Sequence, residues 1–292
     1  MGDTEVGAAG GTSFRKSVSA SVSPLDLRTD IPHPARMYDY YLGGKDNFPA
    51  DREAAEQALA AFPNLRLYAR QNRAFLHRAF LYRAVAHLTT TAGVSQFLDI
   101  GTGIPTNPSL HETAQRLDPA ARVLYVDNDP MVLSHSRALL TSTSSEGRTA
   151  YLDADLREVD RILDAPDLHA TLDLSQPVAV SLIAVLPFLA DSDDPYGIVR
   201  RLLDAVPSGS YLVLTHGTAD ANPATQRPAA LYQQHGIHLQ PRSRTEVERF
   251  FDILELVEPG VQIVHRWRPD DTVPSDLTDA QVSMYGAVGR KP

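Results

Sequence analysis

Three sites suited to holding a nucleoside follow apolar runs in this chain. Asp99-Ile-Gly101-Thr-Gly103-Ile-Pro105-Thr106 overlaps the end of Gln96-Phe-Leu-Asp-Ile100, Asp127-Asn128-Asp129-Pro130 follows Arg122-Val-Leu-Tyr-Val126, and Asp153-Ala-Asp155 follows Thr149-Ala-Tyr-Leu152. Glycine allows backbone conformations and a close ligand approach that a Cβ blocks, so Gly101 and Gly103 are candidates for a ligand cradle. A carboxylate at Asp127 suits both hydroxyls of a ribose, and one at Asp155 suits the amino group of an adenine. Taken singly, each site has a plainer use: an ordinary βα turn, or a helix cap from Asp127 or Asp129.

The elements that must position these residues alternate in kind. Apolar runs at 96–100, 122–126, 149–152, 177–186 and 210–215 read as strands, the fourth buried on both faces. Helices are expected between them at Ser109–Leu117, Met131–Leu140, Val159–Leu163 and Pro195–Ala205, and a further one at Glu246–Leu254. Ser109 and Glu112 stand at capping-box spacing. Runs at 261–264 and 282–288 read as two closing strands, paired antiparallel. Such alternation predicts a mostly parallel α/β sheet, with ligands held beyond the C-terminal ends of the strands. Before Gly93 the pattern is helical: a helix from His33-Pro34 to the glycine stop at Gly43-Gly44, a second at Asp51–Ala61 and a third at Asn64–Leu88. The expected organisation is therefore a flexible tail at 1–23, a helical cap at 24–90 and a ligand-binding α/β domain at 91–292.

Composition narrows the function further. The 292 residues carry 27 basic and 36 acidic side chains, a net charge of −9, which argues against bulk nucleic-acid binding. With no cysteine, disulfides, thiolate metal sites and a cysteine nucleophile are excluded. His111, His235 and His238 show no metal-ligand spacing, and no metal is expected. No run approaches a membrane span, and the tail lacks an apolar signal core, so a cytoplasmic chain that does not bind membranes is expected. Lys16, Lys45 and Lys291 are the only lysines, an arginine bias that hints at a bacterial source.

Other residues compete for roles around the glycine turn. His216, just past the fifth strand, is a candidate general base; a structural, hydrogen-bonded histidine is the alternative. Tyr38 lies in a segment, Tyr38–Asn47, whose double glycine reads as a hinge bringing Tyr38, Lys45 or Asp46 over a ligand. Arg66, Arg70, Arg73 and His77 make one helical stripe, from which Arg73 is the candidate partner of a ligand carboxylate. NAD fits the turn less well than S-adenosylmethionine: Thr106 replaces the third glycine that lets a pyrophosphate approach the helix. A nicotinamide-dependent oxidoreductase and a non-catalytic S-adenosylmethionine sensor remain alternatives.

Phe97-Leu-Asp-Ile-Gly-Thr-Gly103, Tyr125-Val-Asp-Asn-Asp-Pro130 and Asp153-Ala-Asp-Leu-Arg157 resemble the first three motifs of class I S-adenosylmethionine-dependent methyltransferases. Pro34-Ala-Arg-Met-Tyr-Asp-Tyr-Tyr-Leu-Gly-Gly-Lys-Asp-Asn47, Ala69-Arg-Gln-Asn-Arg-Ala-Phe-Leu76, Arg242-Ser-Arg244 and Trp267-Arg-Pro269 resemble a bacterial methyltransferase-like family of unassigned substrate. The resemblance runs from about Pro24 to the C-terminus. It implies a Rossmann-like, seven-stranded, mostly parallel sheet with an antiparallel last strand and an N-terminal helical cap. It implies S-adenosylmethionine as cofactor, with Gly101 and Gly103 against the methionine, Asp127 on the ribose, Asp155 on the adenine, Asn128 among the cofactor-binding residues and Asp99 holding the turn or reaching the methionine ammonium through water. A small-molecule methyl acceptor is the expectation. Pro105, where many methyltransferases have glycine, departs from the pattern, as does Ala184-Val-Leu-Pro-Phe188, which lacks the signature of amino-methylating enzymes.

Overall fold

The structure is a computed structural model that describes residues 27–61, 63, 65, 66, 69, 87–105, 109–139, 142–269 and 274–292. The expected tail and most of the third expected helix, including Arg70, Arg73 and His77, lie outside the described residues.

The sheet begins with β1 (Gln96–Ile100), β2 (Arg122–Asp127) and β3 (Arg148–Asp153), followed by β4 (Ala179–Ile183) and β5 (Tyr211–Gly217). Two short strands, β6 (Glu255–Leu256) and β7 (Gln262–Ile263), precede the long β8 (Met284–Arg290). Among the described residues these form one sheet in the order β3-β2-β1-β4-β5-β8-β6, with β7 also paired to β8. β1 to β5 run parallel, and β8 is antiparallel to β5. β6 meets Arg290 and Gly289, whereas β7 meets Gly286 and Tyr285. The two short strands therefore share one edge of β8, and the sheet has seven strand positions. The antiparallel pairing expected for 261–264 and 282–288 is present as β7 on β8.

Strand order reverses at β1, whose neighbours are β2 on one side and β4 on the other. A crevice opens at such a point because the connections leave to opposite faces of the sheet. Apolar, β-branched-rich runs fill the sheet: Val123, Leu124 and Val126 in β2 and Val180 and Leu182 in β4 are wholly buried. Each such side chain contributes roughly 1.5–3 kcal/mol by leaving water.

The flanking helices start and stop where local chemistry dictates. α1 (Pro34–Leu42) opens on a proline and closes at Gly43, whose φ of 80° is the left-handed cap conformation. α2 (Pro49–Ala61) follows it. α3 (Leu110–Leu117) carries the expected capping box, with Ser109 N–H donating to Glu112 Oε2 at 2.6 Å. α4 (Pro130–Leu139), α5 (Val159–Leu163) and α7 (Pro195–Asp204) fall where the pattern predicts them. α6 (Pro166–Thr171) and α8 (Arg227–Gln234) lie in stretches without a clear period. α9 (Arg244–Glu248) tightens into a short 3-10 turn, Arg249–Phe251, so the expected 246–254 helix begins earlier and ends sooner. α10 (Asp279–Val282) is one turn before β8. No helix among the described residues is long and apolar enough to cross a membrane.

Two apolar clusters result. The larger packs both faces of the sheet. The smaller joins Met37 and Tyr41 of α1 to Ala54, Ala55, Ala58 and Leu59 of α2, together with Ala69, Tyr232 and Ile237. The cap is thus not closed on itself, because α8 and the segment after it complete its core.

Candidate functional site

Strand register carries the chemistry-bearing residues to one edge. Ile100 is opposite Val126, and Asp127 is opposite Asp153, so the chain leaves β1, β2 and β3 side by side. Gly101 N–H donates to Val126 O at 2.8 Å and turns the backbone across the end of β2 at φ 77°. A Cβ at Gly101 would stand 2.6 Å from Val185 Cγ2 after β4, so glycine is required by both space and conformation. Gly103 also has positive φ, 65°, but its missing Cβ would meet nothing within 4 Å. Ala184, at the end of β4, sits in the left-handed region at φ 54°, held by N–H donation to Thr215 Oγ1 at 2.9 Å. Non-glycine residues occupy that region at some cost, and such strain concentrates at working sites.

Asp127 is the hub of this edge. Its Oδ2 accepts from Gly103 N–H at 2.8 Å and its Oδ1 from Asp129 N–H at 2.9 Å. Burial pushes its carboxyl above the usual range, and those two N–H donors offset part of that rise. Asp99 is pushed up to about 6, first by burial and further by the negative Asp127, with Ser181 working the other way. Asp155 accepts from Arg157 N–H at 2.9 Å and from Asn128 Nδ2 at 2.8 Å, so Asn128 and Asp155 form one polar unit.

The cap is fastened to the same edge through residues that sequence reasoning passed over. His33 Nδ1 lies 2.9 Å from Asp129 Oδ2, and buried Arg36 lies 3.1 Å from Asp51 Oδ1 and 3.6 Å from Asp129. Asp51 also accepts from His33 N–H and Phe48 N–H, both at 2.8 Å. Burial works to raise the Asp129 carboxyl, but His33 and Arg36 prevail and hold it below the usual range. The signal in sequence was Arg36 between two apolar neighbours, a charge on a buried helical face that needs a partner elsewhere.

Of these residues, His33, Arg36, Asp129 and Val185 line a cavity of about 630 Å³ together with the glycine turn. Asp99, Gly101, Gly103, Asp127, Asn128 and Asp155 wall one end, and Tyr38 lies on the cap side, its hydroxyl donating to Ala69 O at 3.1 Å. Tyr41 and Tyr232 also line the cavity, with hydroxyls 3.0 Å apart; burial raises both, Tyr232 to about 12. Lys45 and Asp46 are not among the lining residues. Gly43-Gly44, the expected hinge, forms a tight turn in which Gly44 lies against the Asp39 carboxylate, which accepts from Asp46 N–H and Asn47 Nδ2 at 2.9 and 2.8 Å. Arg73 lies outside the described residues.

His216 stands elsewhere than expected. It is fully buried, does not line the cavity, and has both ring nitrogens engaged, Nδ1 with Gly217 O at 2.9 Å and Nε2 with Arg242 Nη1 at 3.1 Å. Arg242 donates at Nη1, so Nε2 is the acceptor and Nδ1 carries the proton. Burial lowers this ring to about 4. A general base needs reach to its substrate and a free lone pair, and His216 has neither; it orders Arg242. Among the described residues, the histidines that line the cavity are His33, His235 and His238.

The donor set suits a nucleoside bearing a positive charge. Two carboxyls at one end accept hydroxyl and ammonium protons, the space beyond Gly103 is open to a ligand chain, and Asn128 with Asp155 offers donor and acceptor to a base. A Rossmann-like sheet with this order, and this pocket at its switch point, defines a methyltransferase-type nucleoside-binding fold. Residues 20–292 match the S-adenosyl methyltransferase family, and the chain belongs to that family. It is 50% identical to a DUF574 family protein from Streptomyces avermitilis, whose crystal structure superposes with a TM-score of 0.85 over 91% of this chain and 100% of the other. A candidate methyltransferase from Thermobifida fusca is 41% identical, with a TM-score of 0.81 over 93% of this chain and 99% of the other. No curated protein matches it. The chain is accordingly an S-adenosylmethionine-dependent methyltransferase by family.

Proposed function

We propose that the protein transfers a methyl group to a small-molecule acceptor by direct displacement, with both reactants held in the one cavity. The observation that carries this is the cavity itself: about 630 Å³, walled at one end by Asp99, Asp127 and Asp155 and at the other by the cap and the 232–241 segment. That volume suits small ligands. S-adenosylmethionine supplies an activated methyl on a sulfonium centre. Asp127 would hold the ribose, Asn128 and Asp155 the adenine edge, and Gly101 and Gly103 the methionine end, with Asp99 near its ammonium. Arg73 is the proposed partner of the methionine carboxylate. Tyr38 and the cap orient the acceptor and keep water out. In-line displacement depends on such positioning more than on bond-making groups.

The test is calorimetric titration of the purified protein with S-adenosylmethionine, S-adenosylhomocysteine and NAD, after clearing co-purified ligand. Binding of the first two and not of NAD is expected. Asp127→Ala should weaken S-adenosylhomocysteine by roughly 30-fold, about 2 kcal/mol for the lost charged acceptor. Binding of NAD alone would overturn the reading. Transfer of radiolabelled methyl to a pool of small metabolites separates an enzyme from a non-catalytic binder.

A further inference from the structure

Two histidines of the cavity each face a glutamine side chain, and for one of them the glutamine dictates the proton position. Gln240 Nε2 lies 3.3 Å from each oxygen of Asp191, while Gln240 Oε1 lies 3.3 Å from His238 Nε2. Arg242, 2.9 Å from Asp191, holds that carboxyl below the usual range, with Gln240 helping. A carboxylate only accepts, so the amide group facing it must be the NH2, and the amide oxygen must face the ring. That oxygen needs a donor. His238 therefore carries a proton on Nε2, and in the neutral tautomer that this bond selects the lone pair is on Nδ1. His235 Nε2 lies 2.9 Å from Gln57 Oε1. His216 stands at the far end of the first chain, which runs His216–Arg242–Asp191–Gln240–His238.

The walls near these rings are aromatic. Tyr38, Phe188 and Tyr232 line the same cavity, and Phe188 and Leu239 pack on the cap's apolar cluster. Flat faces of this kind favour a ring partner through stacking and edge contacts. A phenolic hydroxyl, ordinarily near pKa 10, is within reach of an imidazole base aided by its surroundings, whereas an aliphatic alcohol is far less acidic. We propose that the cap-side half of the cavity is a subsite for a compound bearing an aromatic hydroxyl, and that His238 Nδ1 accepts its proton. The inference rests on the methyltransferase reading above for the use made of that oxygen. In the step, the O–H bond breaks, its electron pair stays on oxygen, and the proton joins Nδ1. The imidazolium keeps its Nε2–H on Gln240, with Asp191 one amide away to stabilise the charge. His238 is the catalytic residue and Gln240 its positioning residue.

The probe is 4-nitrophenol, because its phenolate absorbs visible light and its phenol does not. It is titrated into the full chain saturated with S-adenosylhomocysteine, at a pH where the free probe is mostly protonated. Saturable binding with a rise in phenolate absorbance is expected. His238→Gln should cut that absorbance at least tenfold, and Gln240→Leu should lower it several-fold while leaving probe affinity within about threefold, since the aromatic walls remain. His235→Gln should retain the signal. Each variant is first shown by calorimetry to bind S-adenosylhomocysteine, which also reports folding; if His238→Gln does not fold, Gln240→Leu decides. S-adenosylhomocysteine binding without nitrophenol binding would overturn the aromatic subsite alone. An undiminished phenolate signal in both His238→Gln and Gln240→Leu would overturn the role of His238. Failure of the wild type to bind S-adenosylhomocysteine would instead strike the methyltransferase reading, by a separate measurement.

Discussion

Asp99 and His216 show how burial changes the meaning of a titratable residue. Asp99 is raised from 3.8 to about 6, so between those values the folded protein binds a proton that the unfolded chain lacks. Stability from this group is therefore present at low pH and lost as pH rises through the window. Asp99→Asn should stabilise the protein by about 3 kcal/mol at pH 7 and little at pH 4, read from thermal melts at the two values. The same protonation predicts that wild-type affinity for S-adenosylhomocysteine falls as pH drops below about 6, and that Asp99→Asn flattens this profile. His216 behaves in the opposite sense. Its ring is lowered from 6.5 to about 4, so its stability contribution is present above 6.5 and lost as pH falls toward 4. His216→Ala should cost about 2–3 kcal/mol in urea denaturation, because one N–H of Arg242 Nη1 loses its acceptor while the other still donates to Leu186 O. Its S-adenosylhomocysteine affinity should be unchanged, since the residue does not line the cavity. Sequence could nominate His216 by its place after a strand. Which side of β5 its ring occupies, and what meets it there, depends on Arg242, 26 residues later.

At the scale of elements, local signals and long-range partners divide the work. The proline start and glycine stop of α1, the capping box of α3 and the apolar runs of β1 to β5 act within a few residues, and each is legible in sequence. β7 falls within the apolar run at 261–264, whereas β6, two residues long, exists because β8 offers an edge to pair with, and nothing in its own sequence marks it. The turn after β1 and the latch on the cap make distinct predictions. Gly101→Ala places a methyl against Val185 in a left-handed conformation, and should cost about 2–4 kcal/mol and weaken S-adenosylhomocysteine at least tenfold by calorimetry. Arg36→Met leaves Asp51 buried without its cation, a loss of about 3–5 kcal/mol. Hydrogen exchange should then quicken in α1 and α2 while β1 to β5 keep their protection, because the latch ties the cap to the sheet without building the sheet.

The whole molecule joins two apolar clusters across a cavity, with Tyr232 and Ile237 from the C-terminal part completing the core of the N-terminal cap. A ligand filling that cavity contacts both, so S-adenosylhomocysteine at about 100 times its Kd should add roughly 2.7 kcal/mol and raise Tm by about 5 °C. By itself the amino-acid sequence determined the alternation of strand and helix, the acid or glycine at the end of each early strand, and hence the class of fold and the carboxyl groups and glycine turn at one end of the cavity. Those features follow from periodicity and backbone preference, which act over a few residues. Only the tertiary structure decided which histidines reach the cavity, that Arg36 and His33 fasten the cap to Asp129, and that the cap borrows its core from α8 and the residues after it. Those outcomes rest on packing and hydrogen bonds between residues that lie tens to nearly two hundred positions apart, such as Tyr41 and Tyr232. No local property of the chain specifies such pairings before the sheet has brought them together.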